Sequence, residues 1–258
     1  MSRETRTDAQ LTLQRENPAE ADFQEKRQRT AWYVRKLEEH FGEPVWKGRR
    51  SPVDSLIKTV LSQSTNDRNR DRAYDELRRR FPTWAEVAAA DPQDIAEAIR
   101  VAGLANQKSV RIRDILRWLA QHNGGFELDN LCEMDIQQAL EWLGHLKGIG
   151  VKTLAVVLMF ACGRDVFPVD THVHRIVRRL GLVPENADPV KTFWQMAELV
   201  PPGKSYSFHM NLLKLGRTIC KARNPDCQAC PLRQNCQYFA QSAAALRQDK
   251  ISQPGKNT

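Results

Sequence analysis

Nine apolar residues in succession, Leu154 to Cys162, make the longest hydrophobic run in this chain of 258 residues. A bilayer span needs about 20 such residues, so the run belongs to a buried helix. Just before it stand two glycines one residue apart, in the stretch Gly148-Ile149-Gly150-Val151-Lys152-Thr153. A nucleotide phosphate loop is excluded, because it needs four residues between its glycines, a Gly-Lys pair and a preceding strand, whereas the preceding DIQQALEWL is helical in pattern. What remains is a helix, a short turn GHLKGIG and a second helix. The glycines let the chain turn tightly and leave amide groups bare at a helix N-terminus, which suits a phosphate. A simple αα-corner that needs glycine for close packing fits the local pattern as well. The charge balance favours the phosphate: 39 Lys and Arg against 31 Asp and Glu give +8 and a pI near 9.3, and a basic surface points to a polyanion partner.

The rest of the chain is punctuated for helices. Ser51-Pro52 and Asp91-Pro92 each read as an N-cap followed by proline at the first helical position. Helices are expected near 25–41, 52–63, 67–81, 92–100, 107–122, 135–143, 151–162, 171–180, 189–200 and 204–219. Strand alternation bounded by hairpin turns is missing, so the fold class is all-α. Met1 to Thr30 is polar, with no apolar core of a secretory signal and too many acidic residues for a transit peptide. Its first 24 residues are read as a disordered tail, and residues 239–258 as a flexible one.

Four of the six cysteines, Cys220, Cys227, Cys230 and Cys236, lie in CKARNPDCQACPLRQNC. Four thiolates in one loop can close around a tetrahedral zinc or an iron-sulfur cluster. A polar loop rich in Lys, Arg, Pro and Asn has little to bury without such a cross-link. Two disulfides would also use four cysteines, but with no signal peptide the expected compartment is reducing and intracellular, cytoplasmic and nucleoid-associated if the source is prokaryotic. Cys132 and Cys162, each alone on an apolar helical pattern, are read as separate buried core residues.

Taken together, LKGIGVKT, FPVDTHVHR some eighteen residues later and the C-x6-C-x2-C-x5-C loop resemble the endonuclease III branch of the helix-hairpin-helix DNA glycosylases. LSQSTND and GLANQK belong to the same resemblance, which runs from about Ser51 to Cys236. It implies two helical domains: a six-helix barrel at 51–165 containing the hairpin, and an iron-sulfur domain made of 25–50 plus 166–238. It implies a four-iron four-sulfur cluster on the four cysteines. It also implies a monomer, no membrane association, and a partner that is double-stranded DNA carrying damaged or modified bases or abasic sites. The family's lysine nucleophile falls on Lys152 and its catalytic aspartate on Asp170. The context around Asp170 is also similar to plant 5-methylcytosine glycosylases.

The chemistry of these residues fits. Lys152 lies in the first turn of a helix, where the macrodipole disfavours a cation and raises the share of free amine that can attack a sugar C1′. Expulsion of the base leaves a Schiff base, from which β-elimination cuts the strand. Asp170 would serve as an N-cap for THVHRIVRRL, and the same carboxylate can stabilise positive charge at C1′ and help deprotonate the lysine. A base inside a duplex must first be rotated out, at a cost of a few kcal/mol. Leu104 matches the family's wedge, although read alone it is a core residue. Gln63 or Ser64 would fill the gap, Gly148 and Gly150 would face a phosphate, and His172 would line the pocket. Arg68, Arg70, Arg72, Arg78, Arg79 and Arg80 form either a DNA-facing stripe or a solvated helix face. The expected function is base excision with an associated β-elimination lyase step on damaged or modified bases, with pyrimidines as the expected class. The alternatives are a glycosylase without the lyase step and a non-catalytic DNA-binding module.

Overall fold

The computed structural model describes residues 18–242; the tail expected before residue 18 and most of that expected at 239–258 lie outside them. Eleven α-helices are ordered along the chain, residues 237–242 are helical as well, and among the described residues there is no strand. Residues 239–242 are thus helical and not part of a flexible tail, with the Ala240 amide donating to the Cys236 carbonyl at 3.1 Å. α1 spans Pro18–Phe41, α2 Pro52–Ser62, α3 Asp67–Arg80, α4 Trp84–Ala89, α5 Pro92–Ala98 and α6 Ala105–His122. They are followed by α7 Ile136–Leu143, α8 Val151–Phe160, α9 Thr171–Arg179, α10 Pro189–Leu199 and α11 Ser205–Thr218. Among the described residues no helix is long and apolar enough to cross a membrane.

The helix starts follow from capping chemistry. The Ser51 hydroxyl accepts from the Asp54 amide at 3.2 Å and the Asp91 carboxylate from the Gln93 amide at 2.8 Å, each ahead of a proline. α1 starts at Pro18, so residues 18–24 are helical and not part of a disordered tail. Gln24 and Lys26 bond back to Glu20 and Asp22 one turn earlier, and Phe23 packs on the apolar core below, which is enough to extend the helix toward its N-terminus. α4 was not expected. Its signal was a capping box, Thr83 with Glu86, on a helix too short to show periodicity.

Two apolar cores form. One gathers residues between Val53 and Ala161 from α2 to α8, and the other joins α1 to α9, α10 and α11. α8 belongs to both: Leu154, Val157 and Leu158 face the first core, Val151 and Ala155 the second. A helix apolar all round has to be buried all round, and Lys152 is the only exposed residue of α8. The outer helix α1 is clamped by polar contacts in its C-terminal half. The Tyr33 hydroxyl donates to the Asn235 carbonyl at 2.7 Å, and Glu38 accepts from Lys204 and Ser207 at 3.0 and 2.6 Å.

Cys132 and Cys162 are not separate core residues. They form a disulfide across 30 positions, with Cys132 buried and Cys162 half-buried. Sequence alone concealed this because the two lie far apart, one in a short turn before α7 and the other after α8. The bond closes a loop that holds α7, the turn and α8 together. A loop of this length is worth about 3–4 kcal/mol through the unfolded chain's lost entropy. Urea unfolding of the oxidised protein should therefore give a stability higher by about that amount than the Cys132→Ala/Cys162→Ala variant; equal midpoints would show that the bond contributes nothing in solution.

Candidate functional site

The turn between α7 and α8 places Gly148 at φ 93, where a side chain is strained and a Cβ would lie 3.1 Å from the Arg111 side chain. Gly150 is the N-cap of α8 and has open space where its Cβ would be. With no side chain to cap them, the first amides of α8 face outward, as a phosphate site requires. Lys152 follows in this first turn, and its ammonium makes no hydrogen bond or ion pair with the described residues.

Asp170 is the N-cap of α9. One carboxylate oxygen accepts from the Val173 amide at 2.8 Å, and the other has no partner among the described residues. Capping and a chemical role are thus compatible in one side chain. Two residues earlier, the Pro168 carbonyl accepts from Nδ1 of His209 at 2.9 Å, which fixes the proton on that nitrogen. His209, on α11, is almost fully buried, and burial holds its imidazole below the usual histidine range. The Asp170 charge favours its protonation, while those of Lys152 and Arg217 oppose it, so this histidine lies within the field of both candidate catalytic groups. Nothing in the local sequence separates it from an ordinary core histidine. His172, on the next turn after Asp170, accepts at Nδ1 from Arg175 at 3.1 Å, and Arg175 also donates to the Gly216 and Cys220 carbonyls.

Val156 and Phe160 continue the face of α8 that begins at Lys152, at successive four-residue steps. They line a groove of about 680 Å³ with Ser55, Thr59 and Ser62 of α2 and Arg70, Asp71 and Asp75 of α3. Lys152 lies about one turn from this lining, on the same face of α8.

The loops that flank the site share an unusual backbone. Among the described residues only three non-glycine residues have positive φ, and Ser64 and Leu104 are two of them, at 55° and 49°. Such a conformation costs about 1–2 kcal/mol at a non-glycine residue and concentrates where function demands it. Leu104 is 51% exposed, so it is a surface tip and not the core residue that its type suggests. Ser64 is exposed, whereas Gln63 is tied at both ends of its amide: it donates to the Gly148 carbonyl at 3.1 Å and accepts from Arg111 at 3.0 Å. Of the two residues expected to fill a gap, Ser64 is free to do so and Gln63 is part of the frame. The arginine stretch is largely satisfied internally: Arg70 pairs with Asp67 and Asp71, Arg79 with Glu76, and Arg80 with Asp94 and Glu97. It is mainly a solvated face.

The four remaining cysteines are free thiols whose side chains line one small apolar cavity with Ile219, Pro225, Tyr238 and Phe239. Burial and the neighbouring sulfurs push Cys227, Cys230 and Cys236 up, Cys230 to about 11. Converging thiols whose charged forms oppose one another call for a cationic centre to neutralise them, so the residues fit a bound iron-sulfur group. Arg179 adds a counter-charge: it donates to the Cys220 sulfur at 3.3 Å and to the Lys221 carbonyl at 2.8 Å. The bound group would act as the cross-link of this otherwise polar loop.

Comparison with known proteins agrees with this geometry. Residues 57–202 match the model of the HhH-GPD superfamily of base excision DNA repair proteins, and residues 220–236 match the iron-sulfur binding domain of endonuclease III. The endonuclease III of Thermotoga maritima is 36% identical over 188 residues, which cover 73% of this chain and 84% of that protein. An Arabidopsis thaliana protein that bears a DNA glycosylase's name is 38% identical over 170 residues, covering 66% of this chain and 58% of its own length. A trapped endonuclease III–DNA covalent intermediate in an estranged-adenine complex superposes with a TM-score of 0.73 at 25% identity, covering 84% of this chain and 98% of that one. The all-helical fold is therefore that of the helix-hairpin-helix glycosylases. The chain belongs to the HhH-GPD superfamily of base excision DNA repair proteins, in its endonuclease III-like branch with a four-cysteine iron-sulfur loop.

Two measurements follow. Cys227→Ser should lose most of its iron and sulfide on purification, because three thiolates hold the group poorly; stoichiometric zinc without sulfide in the unaltered protein would contradict the assignment. The second concerns His209, whose imidazole is held by burial below the usual histidine range in the folded chain, so that the unfolded chain takes up its proton first, near pH 6.5. Its contribution to stability is thus present above that pH and lost as pH falls below it. Between about pH 7.5 and 5.5 the protein should lose up to about 1.4 kcal/mol per pH unit more than His209→Asn; parallel curves for the two proteins would reject it.

Proposed function

We propose that the protein is a DNA glycosylase with an associated AP lyase activity, removing damaged or modified pyrimidines from duplex DNA through Lys152 and Asp170. The observation that carries this is the pairing of one solvent-facing amine, on an otherwise buried helix, with a half-satisfied carboxylate at the next helix start. Phosphate binding at the hairpin requires only backbone amides, so a mere DNA-binding module has no use for either group.

In this reading the bare amides of α8 hold the backbone beside the target nucleotide. Leu104 wedges into the stack, Ser64 occupies the space that the target leaves, and the flipped base enters the groove along Val156 and Phe160. As the glycosidic bond lengthens, Asp170 stabilises the positive charge that grows at the sugar. The Lys152 amine, relieved of a proton, forms a bond to C1′ as the bond from C1′ to the base breaks and the electron pair leaves with the base. The aminal at C1′ becomes a Schiff base as the C1′–O4′ bond breaks and O4′ takes up a proton, and loss of a C2′ proton then expels the 3′ phosphate. Wedge, plug, hairpin, amine and carboxylate all come from one chain, which supports action as a monomer; its place of action would be inside the cell, where the DNA is. Damaged or abasic duplex is the proposed substrate.

Borohydride trapping tests the covalent step. On a duplex with one abasic site, the unaltered protein should yield a stable protein–DNA adduct and Lys152→Gln none, with duplex affinity of the variant within about threefold, since hairpin contacts use backbone amides. Asp170→Asn keeps a capping oxygen, so it should fold while base release across a panel of single-lesion duplexes falls by about 10²-fold or more. Base release without any adduct would make the protein a glycosylase lacking the lyase step, and binding with neither would leave only the DNA-binding alternative.

A further inference from the structure

Lys108 is fully buried, a rare position for an ammonium. It sits one turn into α6, and its Nζ donates to two backbone carbonyls from separate segments: Leu61 at 2.7 Å and Ala102 at 2.9 Å. Leu61 lies in the last turn of α2, three residues before Ser64, and Ala102 lies two residues before Leu104. One side chain therefore grips, from below, both segments that rise into the left-handed tips. The grip suits a cation, since both acceptors are carbonyls in a final helical turn, where the negative end of the dipole gathers. Burial, and then the charge of Arg111, hold the Lys108 amine below the usual lysine range. Arg111 is one turn further along α6 and extends the same frame through Gln63 to the Gly148 carbonyl of the hairpin.

We infer that Lys108 is a positioning residue that sets the spacing between the Leu104 wedge and the Ser64 plug, so that both tips are already placed before DNA arrives. The inference rests on the reading that these two tips enter the duplex. Lys108 itself, with no exposed surface, does not touch DNA; it acts only through the two carbonyls. A neutral side chain of similar length would leave both carbonyls without a donor, and the two turns would relax independently. The wedge and plug would then no longer arrive together at the spacing of one missing base.

The probe is a duplex carrying 2-aminopurine opposite a single abasic site, whose fluorescence reports unstacking of the estranged base as the tips enter. Lys108→Met, shown to be folded by circular dichroism, should lower the fluorescence change by about tenfold, a size within the coupling range of groups in direct contact, while undamaged-duplex affinity stays within about twofold. In a Leu104→Ala background the same substitution should add almost nothing, because without the wedge there is no wedge-to-plug spacing left to set. A role confined to general stability would instead lower the signal equally in both backgrounds, and that result, or an unchanged signal for Lys108→Met, overturns the inference. If Leu104→Ala alone leaves the fluorescence change intact, the insertion reading itself fails, which is distinguishable from failure of Lys108's part. Should Lys108→Met not fold, Lys108→Gln, which retains an amide donor for one carbonyl, takes its place in the same two backgrounds with the same outcomes.

Discussion

The burial of α8 between two cores is the constraint from which the remainder of the site follows. Because Leu154, Val157 and Leu158 must face one core while Val151 and Ala155 face the other, the helix has no freedom to roll. A rotation by one residue, about 100°, would drive the Lys152 ammonium into apolar surroundings and expose a core side chain. The direction in which the amine points is thereby set by hydrophobic packing, not by any hydrogen bond to the amine. Its lack of polar partners leaves it available.

The carboxylate is held by a different means. Asp170 spends one oxygen on the Val173 amide, and the segment before it is tied through Pro168 to buried His209. The helix that bears it continues to Arg175 and Arg179, which reach the carbonyl and the sulfur of Cys220. The cysteine loop and the acidic turn are therefore opposite ends of a single helix, and the cross-linked loop serves as a foundation for that helix.

Much of this could be read directly from residue order. Local chemistry announced itself: caps at Ser51, Asp91 and Asp170, the glycines of the hairpin, the apolar run of α8 and the clustered cysteines all act within one or two turns of themselves. What stayed hidden depends on segments distant in the chain. Lys108 finds its acceptor at Leu61, 47 positions away, and His209 finds Pro168 at a separation of 41; neither has any local signature. Leu104 misleads by type, since a leucine held outward in a left-handed turn contradicts its own preference. The six residues of α4 were too few for periodicity to register.

The bond between Cys132 and Cys162 has a topological consequence. Lys147, at the exposed crest of the turn, lies inside the loop that the disulfide closes. A protease that nicks the crest would cut the backbone without separating the molecule, because the two fragments remain joined through sulfur as well as through the packing of α7 on α8. The nicked chain would migrate as two pieces only after reduction, and before it would hold the amine of Lys152 and the rest of the first core in a single covalent body.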